Sequence, residues 1–307
     1  MAKEQHILLV GATGFTGKQT LRLLAEKIEK SPINIHCYTR KESVPELLSF
    51  IKKHHLPTPH IIEGTLEDTT AFTEALEKVD GLIYTASLGF DYAKDIVKCC
   101  ETAKIKRAVF ISSTAIFTQL NATSKEIRQA AEKRIVESKL AWTILRPTMI
   151  YGRKGDRNME RLVRYITKFM VLFIPGGGNN LQQPIFVDDV AGAVVDAYFC
   201  KKAHKKAYNI SGADALTFKN VVSITAELLN KRTFAVPLPL KPVCFLVRGY
   251  EKLCALIHLK PKIKQEQLLR LNEDKAFEHS DAMADFDFAP ITFKAGMSIL
   301  IQELYSK

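Results

Sequence analysis

Two residue types in this chain stand where chemistry needs them: glycines at a strand end and cations one strand further on. Gly11-Ala12-Thr13-Gly14-Phe15-Thr16-Gly17 follows the apolar run Ile7-Leu8-Leu9-Val10 and precedes a helical pattern from Lys18 to Lys30. Glycine lets the backbone turn sharply and admits an anion without a Cβ in the way, while a helix N-terminus aims free N–H groups at it. Gly11, Thr13, Gly14, Phe15 and Gly17 are therefore candidates to hold a pyrophosphate; the same glycines would also suit a turn that binds nothing. Thr39-Arg40-Lys41 closes the next apolar run. An acidic residue there would bond a ribose 2′-hydroxyl, whereas the planar fork of Arg40 suits a 2′-phosphate. NADP is favoured. Glu42 keeps NAD open, and Arg40 and Lys41 would equally serve as solvated loop charges.

These residues need a sheet to hold them. Strands are expected at 7–10, 33–38, 60–63, 81–85, 108–111 and 142–145, alternating with helices at 69–78, 94–104 and 125–138. Continuous apolar strands alternating with helices predict α/β architecture with a doubly wound parallel sheet, Rossmann-like, and put the glycine turn and the later strand ends along one crevice. Residues 1–150 read as the dinucleotide-binding domain. Residues 151–307 read as a small C-terminal substrate lobe, interleaved with a segment, 185–212, that returns to the core. At 307 residues, 47% hydrophobic and 25% charged, the composition is globular and excludes a disordered or collagen-like chain. Six scattered cysteines form no CxxC pair and read as reduced and buried, with no metal site expected. No signal peptide or spanning helix is expected, because polar residues interrupt every apolar run before it reaches spanning length. The expected location is cytoplasmic.

Further blocks extend the pattern: Val79-Asp80-Gly81-Leu82-Ile83-Tyr84-Thr85-Ala86, Val109-Phe110-Ile111-Ser112-Ser113-Thr114, Trp142-Thr143-Ile144-Leu145-Arg146-Pro147-Thr148-Met149-Ile150-Tyr151-Gly152 and Pro184-Ile185-Phe186-Val187-Asp188-Asp189-Val190-Ala191. With the glycine turn, they make the chain resemble the extended and atypical short-chain dehydrogenase/reductase superfamily, in its NAD-dependent epimerase/dehydratase branch. The resemblance implies a nicotinamide resting near Thr85, Ser112 and Pro147, and a substrate oxygen held by Ser113. A strand-end hydroxyl such as Ser113 would also serve merely to satisfy backbone groups. Such enzymes carry a Tyr-x-x-x-Lys pair on the helix after the fifth strand, where the ammonium lowers the phenol pKa and the phenolate exchanges a proton. Counted from Ala131-Glu132 and Arg146-Pro147, those positions fall on Ser124 and Arg128. A serine does not ionise near neutrality and an arginine cannot shuttle a proton. Two readings stay open: hydride transfer with another acid, such as Tyr151 or water, or a non-catalytic redox sensor or assembly scaffold. The one Tyr-x-x-x-Lys in the chain, Tyr198 to Lys202, reads as chance spacing. Where relatives have a Gly-Asp-Leu stretch touching the adenine, this chain has Gly64-Thr65-Leu66.

Arg153, Arg157 and Arg161 bunch in the second half and would bind a diphosphate, consistent with a nucleotide-linked or lipid-diphosphate-linked sugar, or would simply be solvated. Asp188 and Asp189 are expected to cap a helix over 190–200. The charge is lopsided: of the net +11, an excess of seven lies between Lys231 and Lys264, which hold eight bases and the single acid Glu251. This stretch contains an apolar helix with Pro242 at its start. Residues 241–264 would lie on an anionic membrane face as a peripheral contact, pack as a lid over the lobe, or form a homodimer contact. Aromatic residues are not interleaved among these bases, so nucleic acid is not an expected partner.

Overall fold

The computed structural model describes residues 4–28, 32–89, 93–120 and 123–306. Strands β1 (Gln5–Val10), β2 (Ile33–Thr39), β3 (His60–Glu63), β4 (Gly81–Tyr84), β5 (Arg107–Ile111) and β6 (Ala141–Pro147) join the strand Lys206–Ile210 in a seven-stranded sheet. Its order is 206–210, β6, β5, β4, β1, β2, β3, and every pairing is parallel. The doubly wound parallel sheet expected from the alternation is the observed one. Helices α1 (Phe15–Ile28), α2 (Val44–Lys53), α3 (Thr69–Leu76), α4 (Ala93–Thr102) and α5 (Thr123–Glu137) make its crossovers. The continuation of α1 to Lys30 falls outside the described residues. Helix α2 was not expected from the sequence, although Pro45 in its first turn and the pair Leu47 and Ile51, both buried, carry its signal.

Alternate residues of each strand feed opposite cores. Ile7, Leu9, Ile83, Val109 and Leu145 pack with Leu21 and Leu24 of α1. Leu8, Val10, Leu82, Phe110 and Ile144 pack with Phe72, Cys100 and Ile135 of α3, α4 and α5. Both faces are covered, as parallel sheets require. After β6 the chain builds α6 (Met159–Lys168), then returns through α7 (Val187–Phe199), which lies against α1, and the edge strand Lys206–Ile210. Helices α8 (Phe218–Leu228), α9 (Leu240–Leu256), α10 (Gln265–Leu271), α11 (Ser280–Phe286) and α12 (Phe293–Tyr305) follow. A separate cluster of Met159, Val163, Val221, Met297 and Leu300 forms the core of the lobe. Among the described residues, no helix is long and apolar enough to cross a membrane. Five cysteines are buried and Cys200 is half-buried.

Candidate functional site

The strand order reverses between β1's two neighbours, β4 and β2, so the crevice of the sheet opens at the carboxyl end of β1. The glycine turn fills that point. Gly11 has φ +86°, and a Cβ there would stand 2.7 Å from Thr85 Oγ1. A Cβ on Gly17 would stand 1.9 Å from the Gly11 carbonyl oxygen. The Gly14 amide donates to the Gly11 carbonyl at 2.9 Å, and the Lys18 amide donates to the Gly14 carbonyl at 3.0 Å. Strand and helix thus meet with no side chain between them, which leaves the first amides of α1 facing outward. Thr85 donates its hydroxyl to the Val10 carbonyl at 2.7 Å, fixing the end of β4 beside the turn.

A cleft of about 470 Å³ runs over this turn and is lined by Gly11, Thr13, Gly14, Arg40 and Thr85. Ala86 lines it too, with Ser43 and Ser87, which nothing in the sequence pattern had marked. Tyr38 floors the cleft, and its hydroxyl donates to the Thr65 carbonyl at 2.9 Å. A Cβ on Gly64 would collide with that hydroxyl at 2.1 Å. Leu66 and Glu67, not Thr65, reach the wall. Arg40 is exposed at the rim, 3.5 Å from the Glu42 carboxylate. The cradle combines features that suit an adenine dinucleotide: bare peptide, a helix N-terminus behind it, and a cation at the rim. Phe15 opens onto a second cleft, of about 830 Å³, on the outer side of the turn. Ser112 and Pro147 are buried below these surfaces. Among the described residues the Ser112 hydroxyl has no hydrogen-bond partner, and the Pro147 carbonyl accepts from Thr114 at 3.2 Å.

Past the ends of β5 and β6 lies a third cavity of about 630 Å³, between Ser113, Thr148 and Met149 on the sheet side and Arg270, Glu273, Lys275 and Phe277 from the lobe. Ser113 stands on its wall, and its Oγ accepts from the Ala115 amide at 3.2 Å. That bond caps the short turn Thr114–Phe117 and leaves the hydroxyl proton free to point elsewhere. Ser124 and Arg128 occupy consecutive turns of α5, and Arg128 donates to the Ser124 carbonyl at 3.2 Å. The Arg128 guanidinium lies against Gly89, where a Cβ would stand 3.1 Å from Nη2. Burial, then the Arg270 charge, holds its pKa below the usual arginine range. Helix α5 is fixed to β6 by Glu132 and Arg146, a two-pronged pair with contacts of 2.6 and 3.0 Å to Oε2, and Glu132 is buried. The Ala131-Glu132 and Arg146-Pro147 blocks used to register this helix are therefore in contact.

These positions correct some expectations and agree with another. Tyr151 does not line the cavity beside Ser113. It is buried between Phe186 and Phe293, donates to the Phe293 carbonyl at 3.2 Å, and burial drives its pKa far upward. It is unsuited to proton exchange with a substrate. Tyr198 lies at the opposite, amino-terminal edge of the sheet, accepting from Gln5 at 3.2 Å, while Lys202 is exposed. Their spacing is coincidental. Asp188 and Asp189 make no capping bond, because the helix starts at Val187 and both fall within its first turn. Asp188 instead pairs with Arg153 at 2.5 Å and Arg22 at 3.1 Å, and Asp189 accepts from the Ile291 amide at 3.0 Å. Burial raises the Asp189 carboxyl to about 6. Arg153 and Arg157 face the outer cleft, not Ser113, and Arg161 is exposed on α6.

Lys275 was missed by sequence reasoning. It is half-buried, lines the cavity shared with Ser113 and donates to the Arg270 carbonyl. Burial holds its pKa below the ordinary lysine range. No motif marks it, since its position depends on the lobe folding back over the strand ends.

The chain matches the model of a family described as NAD(P)H-binding over residues 11–198. It is 25% identical over 270 residues to the N-acetyl-alpha-D-glucosaminyl-diphospho-ditrans,octacis-undecaprenol 4-epimerase of Escherichia coli O157:H7, covering 76% of this chain and 75% of that protein. It is 21% identical over 276 residues to NADH dehydrogenase (ubiquinone) 1 alpha subcomplex subunit 9, mitochondrial, of Mus musculus, covering 85% of this chain and 70% of that one. Among solved structures, UDP-glucuronic acid 4-epimerase from Bacillus cereus in complex with UDP-glucuronic acid and NAD has a TM-score of 0.73 at 15% identity, covering 97% of this chain and 98% of that chain.

Proposed function

The chain belongs to the NAD(P)H-binding family, within the extended short-chain dehydrogenase/reductase superfamily, and from that membership we propose that it is an NADP-dependent epimerase or reductase of a sugar linked to a nucleotide or lipid diphosphate. Gly11, Thr13, Gly14 and the α1 amides would hold the pyrophosphate, and Arg40 the 2′-phosphate. The bound nicotinamide would supply hydride exchange at a ring carbon. One observation carries the substrate reading: Arg270 and Lys275 line the cavity that Ser113 faces, and Arg128 stands near enough for Arg270 to depress its pKa. Among the described residues Arg128 has no ion pair. The cavity's carboxylates are held by neutral donors: Glu273 accepts from Thr118 at 2.7 Å while its charge acts on Lys275, and Asp274 accepts from the Leu181 amide at 2.7 Å. Cations so placed suit a diphosphate.

Ser113 would orient the reacting oxygen. With serine on α5 where a phenol normally stands, Lys275 is our candidate for proton transfer, since desolvation moves its ammonium toward the range in which a lysine can give up its proton. The test is turnover: pure protein with NADP or NAD and either UDP-sugars or polyprenyl-diphosphate sugars, with products resolved as isomers because epimerisation consumes no net coenzyme. Lys275→Met is expected to lower kcat about 10²-fold or more. The fall in wild-type rate as pH rises through the lowered lysine pKa should disappear in that variant. Tight coenzyme binding without conversion of any sugar would instead favour the non-catalytic reading, to which the likeness to a protein named as a subunit of an NADH dehydrogenase subcomplex gives weight.

A further inference from the structure

Helix α9 is turned inside out relative to an ordinary surface helix. Cys244 and Cys254 are buried, and Val243, Val247 and Glu251 are half-buried, on the side facing the protein. At 100° per residue the opposite side carries Phe245, Leu246, Leu253 and Leu256, continued by Ile257. All five are exposed, Phe245 by 78% and Leu256 by 77%. A solvent-facing side is ordinarily polar, so an apolar one of this size marks a contact surface. Among the described residues nothing packs on this face, so it is not a lid's inner surface here. Lys241, Arg248 and Lys252 fall together along one edge of the stripe. Exposed Leu259 and Ile263 alternate with Lys260, Lys262 and Lys264 just beyond. The strand Phe234–Leu238 leads into α9 and pairs with Val171–Pro175, and Phe234 and Phe173 are exposed on that ribbon.

The charge selects the occupant. Lys231 to Lys264 carry eight bases, and the single acid, Glu251, is on the inner side of the helix. A second copy of this chain docked face to face would bring its own uncompensated cations against these. An anionic bilayer supplies both apolar depth and negative charge, each basic residue near it contributing about 1 kcal/mol. We propose that α9 and the segment to Lys264 dock on the interface of an anionic lipid bilayer, with the exposed leucines and phenylalanine among the acyl chains and the lysine edge at the headgroups. Helix α10 packs against α9 and ends beside Arg270, so the bilayer would lie one helix from the cavity. Where the sugar-diphosphate reading holds, this favours the lipid-linked substrate class; the docking itself is independent of it.

Flotation of the full chain with phosphatidylglycerol-containing vesicles, without coenzyme or substrate, tests the surface apart from the activity. Binding is expected to anionic vesicles and not to pure phosphatidylcholine, with about a tenfold loss from low to physiological salt. The triple variant Lys241→Glu/Arg248→Glu/Lys252→Glu should lose about 100-fold, and Phe245→Ser/Leu256→Ser should float no better than background. Melting temperatures close to the parent's would show that these variants fold. Phe245→Trp should give a blue-shifted emission on anionic vesicles over the background of the buried Trp142. The proposal is overturned if the unmodified chain fails to float with anionic vesicles at low salt, or if charge reversal leaves binding intact. A dimer abolished by Phe245→Ser, with no vesicle binding, would assign the stripe to a second copy.

Discussion

A single methyl group at Gly17 would occupy the space of the Gly11 carbonyl oxygen, whereas one at Gly14 would meet that same oxygen at 3.1 Å. The two glycines therefore do different jobs, although both belong to one motif. Gly17→Ala should cost about 3 kcal/mol of stability through overpacking of backbone that cannot move aside. Gly14→Ala should fold with a loss below about 1 kcal/mol and weaken coenzyme binding by crowding the phosphates. Denaturant titration and coenzyme calorimetry separate these effects; equal destabilisation by both would refute the division. The glycines could be read from the sequence because a backbone requirement leaves few alternatives to glycine. Asp189 and Tyr151 could not. Their roles depend on Ile291 and Phe293, roughly a hundred or more residues away, whose approach no local pattern announces.

Among the elements, β1, β2 and β3 carry a column of histidines across the sheet. His6 Nδ1 lies 3.0 Å from His36 Nε2, and the His36 and His60 rings stack at 4.9 Å. Burial, followed by the neighbouring His60 and His6, depresses the His36 pKa. A depressed value means that the folded chain releases this proton at lower pH than the unfolded chain does. The unfolded state therefore binds more protons between the depressed value and about 6.5, and stability is lost as pH falls through that window. Thermal melts from pH 7 to pH 5 should show that loss, and His36→Asn should reduce it; an unchanged slope would exclude the histidine column as its cause. Element types were largely legible: the interior strands are short, mostly apolar runs, and the crossover helices repeat every three to four residues. Helix α2 escaped because it is short, ten residues with Pro45 in its first turn, and the ribbon of Val171–Pro175 with Phe234–Leu238 because its two strands are far apart in sequence.

For the molecule as a whole, coenzyme preference is the property most open to a quick test. Arg40 is shared between the cleft rim and Glu42, so a 2′-phosphate must compete with a weak surface pair, which is worth little. NADPH at saturation should raise the melting temperature by roughly 5 °C, more than NADH does, and Arg40→Glu should reduce or reverse the difference. Equal shifts in the parent protein would argue against NADP. The doubly wound parallel sheet and its crevice were implied by the alternation of strands and helices. The cavity beyond β5 and β6 was not, because its far wall comes from Arg270 to Phe277, contributed by a lobe whose own elements are short and weakly patterned.

The strand Lys206–Ile210 closes the sheet against β6, yet the chain reaches it only after α6 and α7 have been made. During synthesis, the outer border of β6 therefore waits with its peptide groups unpaired, a sticky margin that must be shielded until the returning segment arrives. The same delay ties completion of the nucleotide half to emergence of the first part of the lobe, so the two halves mature as one unit despite their separate cores.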